Sequence, residues 1–212
     1  METRIDCTSE PQPLGRAPSA SRVVTLLIIW AAAMLSAFGY LMAYSSTPGE
    51  ASQSPSRWPS ESKIHRNIER PTLLMFIHPR CPCTRASLAE LARIVARCKG
   101  RAEVHTVVIL PETFPSGWEQ TDLYRQAAAI PDMVIDVDER GSEAHLFAGT
   151  TSGYALLYDA YGRLLFSGGI TAARGHAGDN AGEEAVVGWL ETGHAALRDA
   201  PVFGCPLFDP GA

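Results

Sequence analysis

The 212-residue chain has no basic stripe. Its 18 lysines and arginines are scattered and outnumbered by 23 acidic residues, for a formal charge of −5. Nucleic-acid binding, which needs clustered positive charge, is therefore set aside. There is no internal repeat, which excludes solenoids and propellers. No second C-x-C or C-x-x-C accompanies the pair at Cys81 and Cys83, so a closed four-cysteine zinc site has too few ligands. No glycine spacing fits a nucleotide-binding fingerprint. The one long stretch without charge is Val23 to Tyr44.

That stretch would span roughly 33 Å as a helix at about 1.5 Å per residue, enough for a hydrocarbon core of about 30 Å. It is longer than the apolar part of a cleavable signal, about 7–15 residues, and lacks the polar face of a buried core helix. It reads as a single transmembrane anchor, with Tyr40 and Tyr44 toward one interface. Arg16 and Arg22 precede it closely and an uncharged run, Ser45 to Gly49, follows. The positive-inside rule then puts the N-terminus in the cytoplasm and exports the rest, to the periplasmic side in a bacterium.

Around the anchor, residues 1–22 mix proline, serine and charge without a period, as a disordered tail does. Residues 45–63, rich in serine and proline, read as a linker, and residues 64–212 as the folded domain.

Within that domain Thr72–Ile77 suits a buried strand, and Cys83 to Lys99 a helix carrying Leu88, Leu91 and Val95 on one face. A second strand runs from Val104 to Leu110. A helix from the capping-box pattern at Ser116 reaches about Ala129, and a third strand spans Met133 to Val137. A short helix at Ser142–Phe147 precedes a hairpin turning at Asp159–Gly162, and a last helix runs from Asn180 to about Arg198. The order βαβαβαββα predicts one α/β domain with a mixed central sheet.

Cys81 and Cys83 stand where a buried strand meets a helix. Free backbone N–H groups and the helix dipole favour a thiolate there, and Arg80 and Arg85 lie alongside. A thiolate is the attacking species in thiol–disulfide exchange. Cys81, the outer residue, reads as the nucleophile, and Cys83, in the first turn, as the thiol that resolves the mixed disulfide. Two other readings stay open: an inert bridge, or a copper site built from His78, Cys81, Cys83 and His176.

The stretch Phe76–Leu91, with its strand, cysteine pair and helix, resembles the core of the thioredoxin superfamily, one residue short between the cysteines. The run Phe147–Phe166 resembles the closing hairpin of its membrane-anchored branch. The C-P-C motif, the stretch 117–122 and the 168–182 loop together are similar to RedB-type thioredoxin-like proteins. This resemblance covers about 65–212 and implies a thioredoxin-like fold after one transmembrane helix. The implied activity is thiol–disulfide exchange on exported proteins carrying thiols or disulfides, without a cofactor. A noncatalytic binding module on the same fold is the further alternative. The cis-proline that faces the cysteines in that family is replaced by Gly153, counting from Asp159. A C-x-C ring is small, and disulfide geometry forced away from its preferred form is more easily reduced. The pair is therefore expected to be oxidising.

Connectivity sets the glycine-rich loop 168–182 beside Cys81, so that Arg174 and His176 supply charge, proton transfer or a copper ligand. Cys7 precedes the anchor, leaving four cysteines in the exported part. Cys98 ends the cysteine helix, and a last helix reaching Arg198 carries Cys205 toward the same remote end. A structural disulfide between Cys98 and Cys205 is the resulting expectation; a buried apolar Cys98, and Cys205 as a third redox thiol reached by a nearly extended 199–205 segment, stay open beside it.

Overall fold

The computed structural model describes residues 19–50, 52–110 and 117–208. The disordered tail expected over residues 1–22 and the position of Cys7 fall almost wholly outside them. The chain divides into two compact units, Met1–Leu41 and Met42–Ala212.

Helix α1 (Ala20–Ser46) is long and apolar enough to cross a membrane, and none of its residues is buried in protein. A helix apolar all round, with no protein surface to bury it, is what a bilayer would accommodate.

In the second unit six strands form one sheet in the order β3-β2-β1-β4-β5-β6. Strand β1 (Thr72–Ile77) is central, with β2 (Glu103–Leu110) parallel to it on one side and β4 (Tyr154–Tyr158) antiparallel on the other. Strand β3 (Met133–Glu139) extends the β2 side in parallel. On the other side β5 (Leu164–Gly169) closes the hairpin with β4. A cysteine helix crossing over from the central strand to a parallel neighbour, with an antiparallel hairpin on the other flank, is the mixed α/β arrangement expected from the sequence.

All six residues of β1 are buried, so both faces of the sheet must be covered. Leu73, Met75 and Ile77 point into a core built with α2 (Thr84–Arg97) and α5 (Ala181–Thr192). From α2 this core takes Leu88, Leu91 and Ile94, while Val95 is only partly buried. Leu74 and Phe76 point the other way, into a cluster with Phe147, Tyr158, Val202 and Leu207. On that second side the only helix among the described residues is α4 (Ser142–Leu146), five residues long.

This shortage of cover explains a correction to the expected linker. Trp58 packs edge-on against Phe147 and Tyr158, with ring centres 5.0 and 5.3 Å apart. The Tyr158 hydroxyl donates to the Pro55 carbonyl, and Leu164 N–H donates to that of Ser56. The Ser/Pro segment is thus a cover for the second face rather than a free tether. Trp58 is partly buried against this cluster, and the apolar area it covers, together with these hydrogen bonds, offsets part of the entropy lost in ordering the segment.

Two helix ends also differ from expectation. Helix α3 (Asp122–Ala128) starts at a Thr121 cap whose side chain accepts from Tyr124 N–H, while Ser116 lies outside the described residues. Helix α5 stops at Thr192, because Gly193 takes a left-handed φ of 74° as its C-cap. The chain from Gly193 to Gly204 is then free to return along the sheet. Strand β6 (Asp199–Ala200) pairs parallel with β5 and leads the chain back toward the C-terminal end of β1.

Candidate functional site

Beyond Ile77 the chain turns through Pro79 and Arg80 into α2. Cys81 N–H donates to the His78 carbonyl, and Thr84 N–H to that of Cys81. Cys83 is the N-cap of α2 and Cys98 its C-cap, so the two are separated by the helix length, about 1.5 Å per residue.

The returning C-terminal segment completes the site. Ser152 N–H donates to the Cys205 carbonyl and Leu207 N–H to that of Thr150, both at 2.8 Å, and Thr151 bridges Pro206 antiparallel. The fit is close. A Cβ on Gly204 would lie 1.9 Å from the Ser152 carbonyl oxygen, so only glycine lets the strands approach this way. The Arg174 guanidinium donates to the Gly204 carbonyl, and its Nε donates to that of Thr47 at 3.2 Å.

The sulfurs of Cys81, Cys83 and Cys205 all lie within 4.8 Å of one another. This overturns the expected Cys98–Cys205 disulfide. Cys205 sits at the start of α2, whereas Cys98 is a buried free thiol at its far end. The cause is the early stop of α5 at Gly193, which lets the chain run back rather than onward. Among the described residues this trio is the one such cluster of histidine, cysteine and acidic ligands, and it contains neither His78 nor His176.

The electrostatics single out Cys81. A hydrogen bond from the Cys205 thiol, with further donors from the Cys205 backbone and from Thr84, outweighs burial and lowers its pKa to about 4. The neighbouring thiols move the other way. The Cys205 thiol is raised chiefly by donating to Cys81, and Cys83 by burial and the adjacent Cys81 charge. The arginines expected to help act elsewhere. Arg85 pairs with Asp122, and the Arg80 guanidinium lies over the Trp118 ring at 4.8 Å. Arg174 is the guanidinium whose charge favours ionisation of Cys83 and Cys205.

Exposure corrects a second expectation. Cys81, read as the outer nucleophile, is only 1% exposed, while Cys83 and Cys205 are partly open. The segment carrying Cys205 covers it, a contact no local pattern shows.

The remaining predicted residues fall around this centre. His78 accepts from Arg80 N–H through Nδ1, lies edge-on to Trp118, and donates its own N–H to Ser152 Oγ. His176 is exposed, in a turn closed on Ala173, with its Nδ1 against the Arg174 carbonyl. Gly153 has φ 90° and donates to the Phe76 carbonyl, and a Cβ there would meet Ser87 Oγ at 2.7 Å. No peptide bond among the described residues is cis.

Sequence reasoning passed over Thr84 and Ser152, whose hydroxyls lie 2.7 Å apart beneath the cysteine turn. A threonine directly after the second cysteine was the only local signal for the first. Nothing local marks the second.

No protein-family model matches the chain, and no curated protein matches it in sequence. Among solved structures it is similar to the hypothetical protein SMc02350 of Sinorhizobium meliloti 1021. That likeness has a TM-score of 0.59 at 18% identity and covers 76% of this chain and 97% of the other. An uncharacterized conserved protein from Geobacillus kaustophilus is similar at TM-score 0.55 and 16% identity, covering 79% and 95%. A more distant likeness is to a secreted Mycobacterium tuberculosis disulfide oxidoreductase homologous to E. coli DsbE, at TM-score 0.35 and 15% identity, covering 45% and 66%. These likenesses concern the fold, and the chemistry has to be read from the site itself.

Proposed function

We propose that this chain is a membrane-anchored thiol–disulfide oxidoreductase that acts on exported protein thiols through Cys81 and Cys83, a relative of the RedB-type proteins. The observation that carries the reading is the Cys81 sulfur, held by several donors beside a second thiol at a strand–helix junction.

The geometry favours the oxidising direction. A thiolate of low pKa is a good leaving group, and Cys81 is buried while Cys83 is accessible. A partner thiolate attacks Cys83 Sγ of the Cys81–Cys83 disulfide, forming a partner–Cys83 bond and expelling Cys81 as thiolate. The partner's second thiolate then closes the partner disulfide and releases Cys83, which takes up a proton because its pKa is raised. Two electrons pass from the partner to the pair. Arg174 stabilises the departing Cys83 charge.

Turnover of a reduced, unfolded protein with oxidised glutathione as the terminal oxidant tests this. Cys81→Ser should fall to the uncatalysed rate. Turnover unchanged in that variant would refute the role of Cys81, and a parent chain no faster than the uncatalysed rate would leave a noncatalytic binding module.

A second reading rests on the three clustered sulfurs, which form a soft ligand set suited to copper(I). Cys205 then replaces the histidines of the sequence-based copper site. Copper(I) should stay with the protein through gel filtration and be lost in Cys205→Ser, whereas equal retention by that variant refutes the site.

A further inference from the structure

The segment 202–207 is held into the site at several points. It is paired in the backbone to Thr150 and Ser152, clamped through Gly204 by Arg174, and fits only because Gly204 has no side chain. Its apolar members Val202 and Leu207 are buried in the second core cluster and fix it at both ends. The result of this anchoring is that one side chain, Cys205, is brought against Cys81 from a segment far along the chain.

We propose that Cys205 is a third redox thiol, and that the oxidised site passes from the Cys81–Cys83 disulfide to a long-range Cys81–Cys205 disulfide. This rests on the exchange reading above, which supplies the first disulfide. The step is an internal exchange. Cys205 gives up its proton and attacks Cys81 Sγ; the Cys81–Cys205 bond forms as the Cys81–Cys83 bond breaks, and Cys83 takes the proton. No net electrons are gained or lost.

Two physical reasons drive it. A disulfide spanning one residue is confined by its short ring, whereas two cysteines on separate segments can approach the preferred geometry. Cys205 also already touches Cys81, so the attacking and attacked sulfurs need no search. Partly open, Cys205 offers partners a second sulfur whose attack expels the same Cys81 thiolate.

The test uses the full-length chain in detergent, equilibrated with oxidised glutathione, alkylated, and digested with trypsin without reduction. Cleavage after Arg80, Arg85 and Arg198 puts Cys81 and Cys83 on one short peptide and Cys205 on another. A cross-linked pair of these peptides is expected, with fragmentation placing the link on Cys81 and the alkyl group on Cys83. Wholly alkylated Cys205 beside a closed Cys81–Cys83 peptide overturns the proposal while leaving the exchange reading intact. Cys81 that forms neither disulfide nor glutathione adduct overturns the exchange reading itself. In Cys83→Ser the Cys81–Cys205 link should persist, and it should vanish in Cys83→Ser/Cys205→Ser. A Cys83→Ser protein holding only glutathione on Cys81 also refutes the proposal.

Discussion

Hydrogen bonds lead the causes of the low pKa of Cys81. Its charge is held by the Cys205 thiol first, then by the Cys205 backbone and Thr84, against the penalty of burial. Because the pKa is depressed, Cys81 stays ionised through neutral pH and loses its charge only as pH falls through about 4. Alkylation of reduced Cys81 by iodoacetamide, followed by peptide mass, should therefore persist at pH 5–6 and fail near that value. In Cys205→Ser, which offers a hydroxyl in place of the thiol, the midpoint should move. In Cys205→Ala, which offers no donor, it should move furthest upward. A midpoint unchanged in Cys205→Ala would mean that the backbone donors and Thr84 hold the charge without the Cys205 thiol. The expectation that Arg80 and Arg85 do this work came from their place in the sequence, but Trp118 and Asp122 engage them instead. Adjacency along a chain does not say which way a long side chain turns.

At the scale of elements, strand pairing and a tight glycine contact set the stability. Gly204→Ala would drive a methyl into the Ser152 carbonyl. Overpacking of this kind costs about 1–3 kcal/mol, so a lower urea midpoint and a more reactive, uncovered Cys81 region are expected by denaturation and proteolysis. At the other end of β2, His105 is 3% exposed and held between Asp136 at 2.7 Å and Glu103 at 3.1 Å. Burial disfavours its charge, but the two carboxylates outweigh burial and raise its pKa above the ordinary 6.5. A raised folded pKa stabilises fully below the unfolded value and is lost as pH rises through the folded one. His105→Gln should thus be clearly less stable than the parent chain at pH 6, with the gap narrowing as pH rises through and above neutrality. A gap constant from pH 6 to 9 would show that packing, not charge, holds this histidine. The strands and cysteine helix were readable because their apolar periods are local. The end of α5 is not legible in the same way, because Ala195-Ala196-Leu197-Arg198 beyond Gly193 are good helix formers and only the left-handed cap at Gly193 stops the helix.

For the whole molecule, the apolar α1 and the compact unit Met42–Ala212 have separate physical logic, one suited to lipid and the other to water. Deleting residues 1–41 should move the protein from the membrane fraction to the soluble fraction while preserving cooperative thermal unfolding. Loss of that unfolding transition would make the helix part of the fold's stability. What the sequence by itself determined was the long apolar helix, the α/β order, the central buried strand and the cysteine pair at its end. Each depends on residues near one another along the chain. Tertiary structure alone decided that Trp58 covers the second sheet face, that Cys81 is buried, and that Cys205 meets Cys81 rather than Cys98. Those outcomes depend on where a chain returns after Gly193 and on which apolar surface remains uncovered. Loop closure over more than a hundred residues costs little more than over a few tens, so distance along the sequence neither forbids nor reveals the meeting of Cys205 with Cys81.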